Sequence, residues 1–266
     1  MNLDLKGKVA LVTGGSRGIG KAVARQLAEE GVDVAVAARN SEINEATAKE
    51  IASATGRRVL PFQVDTGDDA AVSALVENVM AAFGRIDILV NSAAQAAGHG
   101  KAPKLLEVTN EHFWADMNIK VMGYLRMARA VTPHMRLSDS GRIINISGLN
   151  ARLTGSIIGS MRNVSVAALT KNLADELAEF GITVTCVHPG LTQTEKTPAL
   201  IAAKAREFGV SESEAEKRLT SQILAGRMMT SEEIAYIVAF LASPKSIAIN
   251  GDVIAAGGGY RGAIYY

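Results

Sequence analysis

Short β-branched runs alternate with helix-patterned segments from one end of this chain to the other. KVALVTG leads to GKAVARQLAEEG, VDVAVAAR to EINEATAKEIASATG, RVLPFQVD to AAVSALVENVMAAFG, and DILVNSA to a long amphipathic segment from Asn110 to Leu137. GRIINIS, a helix from about Ser160 to Phe180, ITVTCVHPG and GDVIAAGGG carry the rhythm to the C-terminal end. Strands that run the same way can be joined only by a crossover, usually a helix, and such sheets are covered on both faces. The expectation is an α/β fold, a doubly wound parallel sheet of about seven strands with helices on both faces.

Composition narrows the partners. The 266 residues are 48% hydrophobic and 21% charged, the make-up of one compact domain spanning 1–266. With 28 basic and 27 acidic side chains and no run of like charge, no field recruits nucleic acid or a membrane surface, so the ligand is a small molecule. The single cysteine, Cys186, lies in the apolar run ITVTCVHP and reads as buried packing in a reducing compartment. MNLDLKGKVALVTGG has charges where a signal peptide needs an apolar core, and no apolar run is long enough for a bilayer, so the expected location is cytoplasmic. His99, His112 and His134 lack the spacing of metal ligands, and no metal is expected. One segment, from Leu191 to Met229, breaks the β-α rhythm with polar, helix-prone sequence. It falls outside the carboxyl edge of the sheet, where doubly wound folds bind ligands. It is a candidate substrate lid, the alternative being a solvated helical pair.

The first strand runs straight into TGGSRGIG and then a helix. Gly14, Gly18 and Gly20 let the backbone turn sharply and approach a pyrophosphate, with Ser16, Arg17 and Ile19 between them. The helix start supplies free N–H groups and a partial positive charge. The second strand ends VAVAARN, so Arg39 and Asn40 stand where an acidic residue would accept the ribose hydroxyls of NAD. Guanidinium groups suit an additional phosphate, and Arg17 adds a second one. The reading favours NADP(H) over NAD(H); otherwise both arginines are solvated surface charges.

The spacing G-x-x-x-G-x-G after Thr13 resembles the short-chain dehydrogenase/reductase family, and the resemblance extends along nearly the whole chain. VDTGDD places Asp65 as the adenine-contacting acid of that family, followed by Thr66. NSAA, with Asn91, Ser92 and Ala93, is similar to its Asn-Asn-Ala-Gly turn with two substitutions. Asn118 matches the helix asparagine that holds a water in the family's proton relay. HPGLTQT matches the turn over the nicotinamide, with Pro189, Gly190, Thr192 and Thr194, and INGDVIAAGGG resembles the last strand. The resemblance implies a Rossmann-type fold, nicotinamide-dependent redox chemistry and a homotetramer. Wide apolar arcs on the segments from Asn110 to Leu137 and from Ser160 to Phe180 also call for self-association. The C-terminal run GGGYRGAIYY is placed to reach a neighbouring subunit.

The departure lies in GSMRN, residues 159–163. The family follows a strand-end serine with Tyr-x-x-x-Lys, four apart on one helical face, so that the lysine depresses the tyrosine pKa and holds the ribose. Here Gly159 and Asn163 occupy those positions; a register shifted by two gives Met161 and Ser165, and neither restores the pair. None of the five tyrosines is nearby in sequence. The family serine corresponds to Ser147 or to its neighbour Gly148. The catalytic candidates are Asn118, Ser147, Arg162 and Asn163, with Asn163 also counted as a cofactor contact and Ser160 and His188 as further proton sources. Arg162 can stabilise an oxyanion or carboxylate, or be a surface charge near a helix start. A positioned general acid contributes about 10²–10⁴ in rate, so its loss would slow carbonyl reduction without preventing cofactor binding. Three readings follow: a reductase with another proton source, hydride transfer that needs no strong acid there, or a catalytically silent NADP(H)-binding protein.

Overall fold

In the computed structural model, residues 1–94, 102–138 and 140–265 are described. Seven strands form one sheet: β1 (Val9–Thr13), β2 (Asp33–Ala38), β3 (Val59–Gln63), β4 (Ile88–Asn91), β5 (Gly141–Ile146), β6 (Ile182–Pro189) and, after two short strands named below, β9 (Val253–Ala256). Their order is β3-β2-β1-β4-β5-β6-β9, and every pairing is parallel. The chain moves outward from β1 to β3, then returns to lay β4 on the other side of β1. This reversal opens a crevice beyond the carboxyl ends of β1 and β4, where Thr13 stands in register with Asn91.

Successive side chains of a strand point to opposite faces, and the core divides accordingly. Val12, Val36 and Val90 pack against Val23 and Leu27 of α1 (Gly18–Glu29), Ile51 of α2 (Ser41–Thr55) and Val238 of α9 (Ser231–Ala242). Leu11, Leu89 and Ile143 pack on the other face against Leu75 of α3 (Asp69–Phe83) and Met127 of α5 (Gly123–Arg136). Leu177 of α6 (Ile157–Leu177) completes that layer. Cys186 is fully buried, as its apolar neighbours indicate.

The segment expected as one helix from Asn110 to Leu137 is interrupted. α4 (Asn110–Met117) passes into a π-helical turn, Asn118–Met122, before α5 begins at Gly123. A π-turn inserts an extra residue and rotates the face that follows it. Gly123 fits here because a Cβ would stand 3.1 Å from the Thr66 carbonyl oxygen. His112 and His134 lie on α4 and α5, whereas His99 falls outside the described residues. Among the described residues no group of His, Cys, Asp or Glu is arranged to hold a metal ion, and no helix is long and apolar enough to cross a membrane.

The segment beyond β6 folds as α7 (Thr197–Phe208) and α8 (Glu212–Thr220). Its base is closed by β7 (Thr192–Gln193) pairing in parallel with β8 (Met229–Thr230). The helical pair therefore stands over the carboxyl edge of the sheet.

A buried amide chain ties the centre together. Asn91 Nδ2 donates to Asn145 Oδ1 at 2.9 Å, Asn145 Nδ2 to Thr170 Oγ1 at 3.0 Å, and Thr170 Oγ1 to the Val166 carbonyl at 2.8 Å. It links β4, β5 and α6, so Asn145→Ala leaves polar groups unpaired at both ends. The variant is expected to lose about 2–4 kcal/mol of stability, read from urea unfolding midpoints.

Candidate active site

One cleft of about 870 Å³ runs along the crevice. The glycine turn after β1 forms its floor. Gly14 has a φ of +66°, and a Cβ on Gly20 would stand 2.2 Å from the Gly14 carbonyl oxygen, so a side chain there would push α1 off the strand. Ser16, Arg17, Gly18 and Ile19 border the cleft between them. The first turn of α1 has no acidic residue and no side-chain cap. Instead, the Gly18 N–H donates to Glu195 Oε2 at 3.2 Å, so a carboxylate oxygen already sits at the helix start. An anion is thus accommodated where a pyrophosphate oxygen would be received.

Around this floor the structure gathers nearly all the expected cofactor contacts. Arg39 and Asn40 border the cleft beyond β2, and among the described residues neither Arg17 nor Arg39 forms an ion pair. Asn40 uses its side chain to cap α2, accepting the Ile43 N–H at 2.9 Å. Asp65 and Thr66 line the wall after β3, where Asp65 Oδ1 accepts the Gly67 N–H at 2.9 Å. Ser92 and Ala93 line it after β4, their N–H groups donating to Thr13 Oγ1 at 3.2 and 3.3 Å. Pro189, Gly190, Thr192 and Thr194 close the far side after β6. Asn91 does not join them: its side chain points into the amide chain beneath the sheet edge.

The chemistry-bearing end lies where α6 begins. Gly159 is buried, and a Cβ there would stand 2.7 Å from Ser156 Oγ, the N-cap that accepts the Gly159 N–H. Asn163 borders the cleft and is 3% exposed. Both alternatives for the family serine adjoin it. A Cβ on Gly148 would lie 2.9 Å from Asn163 Nδ2, while Ser147 Oγ lies 3.1 Å from the Asn163 carbonyl and 3.3 Å from its Oδ1. The Ser147 proton is thereby committed within the protein.

Most of the other candidates are also engaged. Arg162 Nη1 donates to both carboxylate oxygens of Asp116, at 2.6 and 2.7 Å, which makes it an ion-pair partner rather than a free anion hook. Ser160 Oγ donates to the Leu153 carbonyl at 2.8 Å. Asn118 Nδ2 donates to the Gly67 carbonyl at 3.2 Å, directed at the turn after β3, and the residue does not border the cleft. His188 is 1% exposed, and burial pulls its imidazole down to about 4, so it is neutral at physiological pH. Tyr124, on α5, donates its hydroxyl to the Ile146 carbonyl at 2.8 Å, and burial raises its pKa.

The residue missed in the sequence is Lys120. It sits in the π-turn, 4% exposed, and borders the same cleft. Its Nζ donates to the Ser147 carbonyl at 2.9 Å and to Asn163 Oδ1 at 3.2 Å. Burial, reinforced by the Arg162 charge, lowers its pKa to about 7. Lys120 stands four residues before Tyr124 and seven before Met127, both buried on α5, so the helical period already puts it on the inward face. The signal available was a lysine at that inward position, two residues after the matched asparagine.

Comparison with known proteins agrees with this architecture. A family model described as enoyl-(acyl carrier protein) reductase matches residues 14–261. The chain is 36% identical over 259 residues to an oxidoreductase of Methylorubrum extorquens, covering 97% of this chain and 99% of that one. It is 34% identical over 268 residues to the 3-oxoacyl-[acyl-carrier-protein] reductase FabG of Vibrio cholerae, covering 97% and 98%. Among solved structures, L-sorbose reductase from Gluconobacter frateurii, complexed with NADPH and L-sorbose, superposes with a TM-score of 0.91 at 29% identity, covering 99% and 100%. A short-chain type dehydrogenase/reductase from Mycobacterium marinum gives 0.86 at 30% identity, covering 98% of each chain. The match of sequence, sheet order and glycine turn over almost the full length makes this chain a member of the short-chain dehydrogenase/reductase family.

Proposed function

We propose that the protein is an NADP(H)-dependent oxidoreductase acting on a small carbonyl or alcohol through an altered acid/base site, in the cytoplasm. The observation that carries the cofactor reading is Arg39 at the end of β2, bordering the cleft with Arg17 and free of ion pairs among the described residues. The related L-sorbose reductase, complexed with NADPH, and YwfH, an NADPH-dependent reductase involved in bacilysin biosynthesis, support it. When bound, the cofactor supplies or accepts a hydride at its nicotinamide. The glycine turn and the start of α1 hold its pyrophosphate, Arg39 and Arg17 its extra phosphate, and Asp65 its adenine end. Pro189, Gly190, Thr192 and Thr194 meet the nicotinamide.

Leu200, Leu219 and Ile223, from the insertion between β7 and β8, border the cleft at its outer wall. They support a lid of apolar contacts over a small substrate. A silent NADP(H)-binding protein remains the second reading, favoured by Gly159 and Asn163 and by the ion pair that occupies Arg162.

Self-association follows from α4 and α6, which leave Trp114 65%, Met161 49% and Val164 50% exposed. We take the assembly to be a homotetramer that covers these apolar groups.

Nucleotide titration, a turnover panel and light scattering test this function. Arg39→Ala should weaken NADPH binding about ten- to hundredfold while leaving NADH unchanged, because a charge-assisted contact to the extra phosphate is lost. In the same fluorescence titration Glu195→Gln should bind both nucleotides about two- to fivefold more tightly, since the carboxylate no longer opposes the pyrophosphate at the helix start; an Arg39→Ala effect equal for NADPH and NADH would argue against the assignment. On a carbonyl and alcohol panel the wild type should oxidise NADPH or reduce NADP⁺. Gly159→Tyr/Asn163→Lys should gain nothing and should unfold about 1–3 kcal/mol more easily, because the tyrosine displaces the Ser156 cap. A silent wild type with an active double variant would establish the second reading. Finally, Val164→Asp should shift the tetramer to smaller species in light scattering; an unchanged mass would place the interface elsewhere.

A further inference from the structure

We infer that Lys120 is the proton donor of this site, its ammonium held by the Ser147 carbonyl and the Asn163 side chain so that its remaining N–H faces the cleft. The inference rests on the oxidoreductase reading above and adds to it a residue that the family's motif does not contain.

Two observations carry it. A lysine ammonium has three donors, and two are spent on the Ser147 carbonyl and Asn163 Oδ1, so one is left for a ligand in the cleft that Lys120 borders. No carboxylate balances it: among the described residues Lys120 forms no ion pair, and Asp116 is taken by Arg162. A buried cation without a counter-charge is costly and marks a working site when it lines a cleft.

Each competing group is disqualified by its own surroundings. The Ser147 and Ser160 hydroxyls donate within the protein, Tyr124 is sealed beneath Ile146, and His188 does not border the cleft. Arg162 cannot release a proton at neutral pH. Tyr260 also borders the cleft, its backbone bridged to Ile223 at the lid side, and its hydroxyl is the competitor that Tyr260→Phe tests below. The charges around Lys120 come from each packed element: Arg162 from α6, Asp116 from α4, and Cys186 and His188 from β6. Cys186 is pushed up to about 12 and His188 down to about 4, so both are neutral near pH 7, and Asp116 offsets only part of the Arg162 charge. Lys120 is then the group that titrates near neutrality, at about 7.

The proton step balances. As hydride adds to the substrate carbonyl carbon, the C=O π electrons pass to oxygen; the Lys120 N–H bond breaks and the alcohol O–H forms. The amine left neutral is re-protonated from solvent at the cleft mouth. In the oxidative direction the neutral amine takes the alcohol proton as hydride leaves.

The test uses full-length wild type, Lys120→Met, Lys120→Arg and Tyr260→Phe. In protein labelled with ¹³C at lysine Cε, wild type should show one resonance titrating near pH 7, absent from Lys120→Met, with its midpoint moved by saturating NADP⁺. Lys120→Met and Lys120→Arg should bind NADP⁺ within about tenfold of wild type, since neither changes the phosphate contacts. Both should lose about 10²–10⁴ in kcat on any panel carbonyl the wild type reduces, because arginine keeps the charge but cannot give up a proton. Tyr260→Phe should keep the wild-type pH profile. A Lys120 that titrates near its ordinary value, a midpoint indifferent to NADP⁺, or activity rescued by Lys120→Arg overturns the inference. Failure of wild type to bind NADP⁺ overturns the cofactor reading instead, while a near-neutral Lys120 would still stand.

Discussion

Everything downstream depends on how closely α1 follows β1. A Cβ at Gly20 would meet the Gly14 carbonyl oxygen at 2.2 Å, and one at Gly14 would meet the Ser92 carbonyl at 2.8 Å. Two backbone turns, after β1 and after β4, therefore pack against each other with no side chain between them. That contact aims the free N–H groups of α1 along the crevice and makes the crevice shallow enough for a dinucleotide to span it. Glu195 shows the electrostatic consequence. The helix start receives a carboxylate from the segment that follows β7.

Much of this was legible in the chain because it rests on local rules. Strand runs such as VALVT, buried along their whole length, and the glycines of TGGSRGIG report sheet coverage and turn geometry without tertiary knowledge. The parallel sheet and the positions of Arg39, Asp65, Ser92 and Thr194 along its carboxyl edge follow from the same logic. Side-chain direction was less accessible. Asn91 is in the expected turn, yet its amide serves Asn145, because a buried polar strand residue must find partners inside the sheet. Asn118 is on the expected helix, yet faces Gly67. The cause there is the π-turn, which breaks the 3.6-residue period on which any helical face is counted.

Arg162 shows why a charged residue beside a cleft is weak evidence by itself. Spacing from Gly159 suggested a free guanidinium, but Asp116, on a helix remote in sequence, claims it. The pair is nearly buried, with side chains 13% and 17% exposed, so removing one member would leave the other as an uncompensated charge. Its effect on the site is indirect. The Arg162 cation disfavours the charged form of Lys120, which burial already disfavours, while Asp116 offsets part of that push.

The absence of a lysine at position 163 follows from the presence of one at 120. Lys120 Nζ lies 3.2 Å from Asn163 Oδ1, so an ammonium at that position would place two like charges roughly a hydrogen bond apart. At 4 Å and an effective dielectric near 20 such a pair repels by about 4 kcal/mol, before the cost of desolvating the second charge. An amide avoids this and adds something a lysine lacks, an acceptor oxygen. The Asn163 side chain can therefore hold the Lys120 ammonium, which a cation at 163 could not, while its main-chain carbonyl receives the Ser147 hydroxyl. The departure at GSMRN and the buried lysine of the π-turn are then one substitution in physical terms. The cation stands on the π-turn beside α6, and Asn163 carries the oxygen that orients it.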